Sequence, residues 1–242
     1  VVEEGFPVAE LRLIAASMRA AADAAGVEVV AGDTKVVERG KGDGVFVTTT
    51  GVGLVEPGRE LSPQRVVPGD RVLVSGTIGD HGIAVLVARG GLDLETDLES
   101  DTAPLNGLVE TLLAAAGPGV RWLRDPTRGG VATTLNELAL DADLAVVLDE
   151  SALPVRPAVA GACEILGLDA LYVANEGKLV AVVAAEVAEA ALAALRGHEL
   201  GAEAAIVGEI RASPAGMVFL ETAFGGSRVV DMLVGDPLPR IC

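Results

Sequence analysis

Three short turns carry residues whose types and spacing suit the chemistry of phosphate groups. Each turn places a carboxylate and a cation beside glycine, in the pairs Asp33/Lys35, Asp125/Arg128 and Glu176/Lys178. Basic side chains and the N–H groups at a helix start suit phosphate oxygens, whereas carboxylates suit the Mg²⁺ that accompanies them. The three turns together therefore favour a nucleoside triphosphate site. The sequence contains no Walker loop of the form G-x-x-x-x-G-K-[ST], so this site would be of another kind.

The sequence ends in a thiol, Cys242, carried by the segment 235–242, which contains Pro237 and Pro239. Proline fixes φ and removes a backbone donor, so this segment is predicted to be an extended arm rather than a helix or strand. A frayed terminus with an incidental cysteine is the simpler alternative. Solvated charges beside a turn glycine are likewise the simpler explanation of any single turn. The three turns and the thiol together favour a chemical role.

Composition excludes several classes of function. The chain has 242 residues, a formal charge of −17, 50% hydrophobic residues and only 2% aromatic residues. This acidity argues against a nucleic-acid partner, which needs a concentrated basic face. The sequence shows neither an 18-residue apolar run nor a signal peptide, so we do not expect a membrane span. We expect a cytoplasmic location. Two cysteines do not make a disulfide framework, and a reducing compartment would keep Cys242 free.

The element pattern divides the chain into three parts. Residues 1–60 are predicted to be the remainder of a first domain, with a helix over 11–25 ended by Gly26 and strands at 27–30 and 45–53. Residues 61–234 are predicted to form a second domain, and residues 235–242 a mobile tail. The chain begins with valine and enters a helix almost at once, so it is expected to be a fragment.

In the second domain, strands precede polar turns that lead into helices or further strands. A strand at 120–123 precedes the turn 125–130, and a strand around Tyr172 is predicted to enter the turn 175–178. The acidic segment 92–102 is predicted to be a solvated loop. The last strands are joined by short turns, which indicates antiparallel pairs and an α+β, mixed α/β fold rather than a doubly wound one.

Other conspicuous residues are expected to be structural. Cys163 lies in an apolar helix and is predicted to be a small buried hydrophobe, and Trp122 a strand packing residue. His81, at a helix start, is predicted to make structural hydrogen bonds, and His198 to lie on a surface loop. No cysteine or histidine pairs at metal-ligand spacing, so a structural zinc site is not expected. Arg240 is expected to be an exposed charge.

Four motifs resemble those of the hydrogenase maturation factor HypE, a family of carbamoyl dehydratases within the aminoimidazole-ribonucleotide-synthetase (PurM-like) superfamily. They are GDTKVV at 32–37, DPTRGG at 125–130, NEGK at 175–178 and the terminal PRIC at 239–242. The resemblance spans essentially the whole chain, and the cysteine-terminated tail is its most specific part. It implies two α+β domains, a homodimer formed through the first domain, and ATP bound between domains. It also implies that a front segment with further Mg²⁺ and nucleotide contacts precedes Val1.

The resemblance further implies a mechanism. The carbamoyltransferase HypF would load the sulfur of Cys242 as a thiocarboxamide, and ATP would phosphorylate the amide oxygen. Loss of phosphate would leave a thiocyanate, which gives cyanide to iron on the HypC–HypD complex. Lys35 and Glu176 would assist proton removal, and Asp33 would contact Mg²⁺. The other residues implied to line the nucleotide and tail channel are Thr34, Asp125, Thr127, Arg128, Gly129, Gly130, Asn175 and Lys178.

Two other functions stay open from the sequence. A superfamily relative such as selenophosphate synthetase or thiamine-monophosphate kinase would use ATP without needing a terminal cysteine. Alternatively, the chain could act as a non-catalytic carrier and docking module that contacts the same partners.

Overall fold

The computed structural model describes residues 1–92, 96–233 and 235. The chain divides into two compact units, Val1–Gly58 and Arg59–Cys242. Within the described ranges, no helix combines the length and the apolar character that crossing a bilayer requires. Arg240 and Cys242 of the predicted tail lie outside the described residues.

The first unit contains one long helix beside a minimal sheet. Strand β1 (Val2–Glu3) pairs in parallel with β2 (Val36–Val37), and helix α1 runs over Val8–Ala25 between them in sequence. Gly26 ends α1 in the left-handed region at φ 67°, as the sequence predicts. No residue of α1 is buried.

The two predicted strands of the first unit are wrong. Residues 27–30 have no strand conformation, and the run 45–53 contributes only an isolated bridge between Val45 and Val2. Alternating hydrophobicity makes a segment suitable for a sheet, but a strand exists only where a neighbouring backbone pairs with it. The described part of this unit supplies no such partner beyond Val2.

The second unit alternates helices and strands. Its helices are α2 (Asp80–Ala88), α3 (Asn106–Ala116), α4 (Gly130–Ala142), α5 (Pro157–Leu166) and α6 (Ala188–Arg196). Its strands are β3 (Arg71–Val74), β4 (Val120–Arg124), β5 (Ala145–Asp149), β6 (Val180–Val183), β7 (Ala205–Arg211), β8 (Met217–Glu221) and β9 (Ser227–Val229).

Seven strands of the described chain form one sheet in the order β4-β6-β3-β7-β5-β8-β9. All neighbours are antiparallel except β5 and β8, which run parallel with Val146 opposite Val218. The predicted α+β fold with antiparallel pairs is therefore confirmed.

Side chains alternate along each strand, so both faces of this sheet are covered by apolar cores. Val72, Val74 and Val180 point into a core with α4, whereas Leu73 and Ala181 point into a core with α3 and α6. A third, smaller core joins α2 and α5 and includes Cys163, which is buried as predicted. Because both faces are packed, the loops at the strand ends are attached to a rigid framework.

The strand predicted around Tyr172 is wrong. Residues Ala170–Tyr172 form a 3₁₀ turn, in which the side chain of Asp169 accepts the N–H of Leu171 at 2.9 Å. This side-chain hydrogen bond offers the backbone a local alternative to a ladder. The turn brings the chain to Asn175 without a strand.

Candidate functional site

The turn 125–130 links β4 to α4 and depends on two glycines. Gly129 and Gly130 adopt φ values of 70° and 60°, which side chains on other residues rarely allow. A Cβ atom at Gly130 would also collide with the carbonyl oxygens of Leu171 and Val173. The sequence therefore needs glycine here for close packing against the 170–173 turn.

The polar residues of this turn are accessible. Asp125 and Arg128 are exposed, and Thr127 is half-buried. The carbonyl of Thr127 accepts the N–H of Gly130 at 3.0 Å, which closes the turn at the start of α4. These side chains can contact a ligand without leaving the turn.

Asn175 joins three segments and is completely buried. Its Oδ1 accepts the N–H of Gly79 at 2.8 Å, and its Nδ2 donates to the carbonyls of Pro126 at 3.0 Å and Val173 at 3.1 Å. Its own N–H donates to Pro126 as well. With both Nδ2 hydrogens engaged, Asn175 positions the loops around the site.

Glu176 and Lys178 follow Asn175 and both contact Asp101. The Asp101 carboxylate accepts the N–H of Glu176 at 3.0 Å and lies 3.2 Å from Lys178 Nζ. Between them, Gly177 leaves no room for a Cβ, which would overlap the carbonyl oxygen of Asp101. The segment around Asp101 is therefore fixed against the 175–178 turn by three separate contacts.

Asp101 is a residue that sequence reasoning missed. The segment 92–102 was expected to be solvated, but the Asp101 side chain is only 4% exposed. Its partners Glu176 and Lys178 lie 75 and 77 residues further along the chain, so no local sequence pattern indicates these contacts. The expectation of a solvated loop is wrong at this position.

The start of α2 adds a histidine to the same region. His81 is 8% exposed, and its Nδ1 lies 2.8 Å from Ser100 Oγ. Ser100 Oγ also lies 2.8 Å from Thr102 Oγ1 and accepts the N–H of Thr102 at 3.3 Å. His81 Nε2 is buried and has no hydrogen-bond partner among the described residues. The predicted structural hydrogen bond of His81 is thus found at Nδ1.

A second buried carboxylate lies one residue before His81. Asp80 is 2% exposed and pairs with Arg156 Nε at 3.4 Å, while Thr77 Oγ1 donates to its carboxylate. Arg156 Nε also lies 3.3 Å from Thr77 Oγ1. Sequence reasoning assigned no role to these three side chains.

The charges around Glu176 determine its proton affinity. Burial raises the pKa of the half-buried Glu176 carboxyl above its ordinary value. Among the neighbouring charges, His81 is the strongest influence and lowers the pKa, Asp101 and Asp125 raise it, and Arg128 lowers it. A carboxylate with a raised pKa is a stronger base, so Glu176 is suited to accept a proton.

The remaining predicted residues lie in the first unit or outside the described chain. Asp33, Thr34 and Lys35 form an exposed segment directly before β2, where Asp33 Oδ1 accepts the N–H of Thr34 at 2.8 Å. The Lys35 carbonyl accepts the N–H of Val2. Cys242 lies outside the described residues.

The C-terminal part of the described chain is attached beside α4. Asn136 Nδ2 donates to the carbonyl of Val230 at 2.9 Å, and the Tyr172 hydroxyl donates to the carbonyl of Asp231 at 2.9 Å. Both anchors belong to elements that flank the 125–130 turn. The segment leading to the tail therefore starts beside α4 and the Ala170–Tyr172 turn.

The family of the chain follows from comparison with known proteins. A model for the AIR synthase related protein C-terminal domain matches residues 67–221. The carbamoyl dehydratase HypE of Azotobacter vinelandii is 59% identical over all 242 residues, which span 71% of that protein. The chain belongs to the HypE family. HypE proteins are hydrogenase maturation proteins, and the resemblance predicted from the four motifs is confirmed.

Solved HypE structures share the fold. The crystal structure of E. coli HypE superposes with a TM-score of 0.94 at 46% identity, covering 100% of this chain and 74% of that one. A HypE–HypF complex matches with a TM-score of 0.91 at 49% identity, covering 95% and 74%. HypE in complex with ATP matches at 0.88 and 45%, covering 100% and 73%. The predicted PurM-like architecture of this HypE-family chain is confirmed.

Proposed function

We propose that the chain dehydrates a thiocarboxamide carried on its own Cys242 to a thiocyanate, at the expense of ATP. The arrangement that carries this proposal is Glu176, a half-buried carboxylate with a raised pKa, held among three loops by Asn175 and Asp101. The family membership and the ATP complex of a relative support it. The thiocyanate would supply the cyanide ligands of the iron centre in NiFe-hydrogenase.

The reaction removes the elements of water from R–S–C(=O)–NH₂. ATP supplies a phosphoryl group that converts the amide oxygen into a good leaving group. Two N–H protons leave in total, and the C≡N bond forms as the C–O bond breaks. Glu176 accepts an N–H proton, and Lys35 steadies negative charge or assists proton removal from the amide nitrogen, or from the Cys242 thiol before the carbamoyl group is loaded. The products are the thiocyanate, ADP and phosphate.

The other predicted residues would bind and orient the substrates. Thr127, Arg128 and the amide of Gly129 suit phosphate oxygens, because they surround a helix start. The Gly130 amide, which was assigned the same role from the sequence, donates to the Thr127 carbonyl instead, so Gly130 contributes by closing the turn. Asp125, Lys178 and Thr34 complete the proposed lining. Asn175 contributes through the loops that it joins.

Mg²⁺ would bind through Asp33 and the phosphates. Within the described chain, no group of three or more histidine, cysteine or acidic side chains could hold a metal ion. A site with one carboxylate, phosphate oxygens and water is typical of Mg²⁺, and the exposed Asp33 suits it. Mg²⁺ would neutralise charge on the phosphates there.

The partners follow from the same chemistry. HypF would load the carbamoyl group, as the HypE–HypF complex of a relative suggests, and the HypC–HypD complex would receive the cyanide. We further propose a homodimer, with residues 1–60 on the dimerisation side, 61–234 as the second domain and 235–242 as the mobile tail. A cytoplasmic location would keep the thiol reduced.

Intact mass spectrometry tests this function directly. The complete protein is carbamoylated by HypF and then mixed with ATP and Mg²⁺. We expect a loss of about 18 Da, one water, that needs ATP and is abolished in E176Q. A loaded protein that keeps its mass would refute the proposal. ATP turnover that persists after deletion of Cys242 would favour the selenophosphate synthetase or thiamine-monophosphate kinase type, and partner binding without nucleotide binding would favour a docking module.

A further inference from the structure

The stretch 176–178 carries Glu176 between two residues that the fold holds firmly. Asn175, before it, is completely buried and hydrogen-bonded on both sides of its amide. Leu179, after it, is paired with Ser75 at the end of β3: its N–H donates to Ser75 Oγ and its carbonyl accepts the Ser75 N–H, each at 3.0 Å. The backbone between these two residues needs contacts of its own to keep one conformation.

A single carboxylate contacts both ends of this stretch. Asp101 Oδ1 accepts the N–H of Glu176 at 3.0 Å, and Asp101 Oδ2 lies 3.2 Å from Lys178 Nζ. Gly177, between the two, lets the backbones approach, because a Cβ there would overlap the Asp101 carbonyl oxygen. The stretch that carries Glu176 is thus attached at its first and last residue to one residue of another loop.

Asp101 and Lys178 form a buried ion pair. Their side chains are 4% and 13% exposed, and a Cβ at Gly76 would lie 3.0 Å from Lys178 Cε, so the lysine stem is packed as well. Asp101 Oδ2 has no hydrogen-bond partner among the described residues, so the nearby ammonium is what offsets its charge. A buried pair gives little net stability, because desolvation of both charges opposes their attraction. The geometry that the pair imposes explains it better than stability does.

We propose that Asp101 is a positioning residue for Glu176 and that Lys178 is its counter-ion, so that this ion pair fixes the backbone from which the proton-accepting carboxylate projects. This inference rests on the proposed dehydration. Asp101 acts through the Glu176 backbone, and the ammonium of Lys178 acts through Asp101. Displacement of a catalytic group by about 1 Å can cost about a hundredfold in rate, so the position of this backbone matters to the reaction.

The test is a double-mutant cycle on dehydration by the loaded complete protein, with the rate at saturating ATP and the half-saturating ATP concentration measured separately. D101A removes both contacts, and the saturated rate is expected to fall about a hundredfold with an unchanged ATP requirement. D101N keeps an oxygen for the Glu176 N–H and should retain more activity than D101A. K178M leaves Asp101 buried without its counter-ion, and a loss of about tenfold is expected. In D101N/K178M neither charge is left unpaired, so the loss should be smaller than the product of the two single losses.

Hydrogen exchange gives a readout that does not depend on the reaction. The Glu176 amide should lose protection in D101A and less in D101N, whereas the Gly79 amide, which Asn175 holds, should stay protected. E221Q is the matched control, because it breaks an exposed ion pair with Arg211 in the same unit. It is expected to leave the rate and the exchange unchanged.

Loading of Cys242 by HypF and the unfolding midpoint report whether each variant is folded, and D101N with K178M gives the same comparison if D101A does not fold. A folded, loadable D101A with the wild-type saturated rate would overturn the inference. Multiplicative losses in D101N/K178M would also overturn it, as would a K178M that only needs more ATP, since Lys178 would then be a nucleotide ligand. Absence of the mass loss in the wild-type protein would instead refute the dehydration itself, and exchange at Glu176 would still test the contact with Asp101.

Discussion

The two units of the chain differ in how they bury apolar residues. In the first unit, α1 has no buried residue and Leu13 is 71% exposed. In the second unit, α4 buries Leu135 and Leu138 almost completely against the sheet. Apolar burial is the main favourable term in folding, so the second unit is stabilised by its own core and the first receives little from its helix.

The residues proposed for chemistry divide in the same way. Asp33 and Lys35 lie in exposed chain of the first unit, whereas Asn175 and Glu176 are fixed among packed loops of the second. A fixed group needs little rearrangement when a substrate arrives. The loops around Asn175 and Glu176 in the second unit are thus preorganised.

Truncation of a leucine in each unit should show the difference in stability between the two units most clearly. L135A removes a completely buried side chain, and we expect a loss of about 2–5 kcal/mol in the free energy of unfolding. L13A, its match in α1, should change stability by less than about 0.5 kcal/mol. Urea unfolding of both variants measures the difference. A large cost of L13A would contradict the contrast between the units.

A methyl group at Gly177 should act on the site more than on the core. G177A forces the Asp101 carbonyl away, and overpacking of this kind costs about 1–3 kcal/mol or more. Dehydration should fall with it, since the 100–102 segment shifts. G51A, where nothing lies within 4 Å, is the matched control in the first unit. An unchanged dehydration rate in G177A would show that this contact is dispensable.

Removal of the Asn175 side chain should loosen the second unit alone. N175A leaves the N–H of Gly79 and the carbonyls of Pro126 and Val173 without this partner, at a cost of about 1–3 kcal/mol. Native-state hydrogen exchange should show lost protection at Gly79, with the first-unit amides unchanged. Retained protection at Gly79 would contradict the role of Asn175.

The smallest expected effects are opposite pH dependences of Glu176 and Glu3. Glu176 has a raised pKa, so its folded form holds the proton longer, and stability is lost as pH rises through the folded pKa. Hydrogen bonds from the N–H groups of Gly40 and Gly44 lower the pKa of Glu3, so stability is lost as pH falls through it. Relative to wild type, E176Q should therefore gain stability above pH 5, whereas E3Q should lose it. Urea unfolding between pH 3 and 7 measures the stability of both variants relative to wild type. If this difference changed with pH in the same direction for E176Q and E3Q, the opposite pKa shifts of Glu176 and Glu3 would be contradicted.

The sequence predicted the turns because their signals are local. Glycine beside charge at an element end marks 125–130, and the structure places it between β4 and α4. Helix α1 and the burial of Trp122 likewise followed from periodicity and residue type. The roles proposed for the site residues stay predictions.

The parts that could not be predicted depend on distant pairing. Asp101 finds Lys178 through the tertiary fold, and nothing near 101 in the sequence indicates that pair. Similarly, the alternation at 45–53 is that of a strand, but pairing depends on which backbone is adjacent. Alternating hydrophobicity shows that a segment can form a strand, but whether it does so depends on the backbone that lies next to it in the fold.

The attachment of Val230 and Asp231 by Asn136 and Tyr172 also has a kinetic consequence. Cys242 lies eleven positions beyond Asp231, a contour of about 36–40 Å. A group carried on that sulfur would be tethered to a point beside α4, at an effective concentration on the order of millimolar. Its dehydration would then be first order in protein and insensitive to dilution.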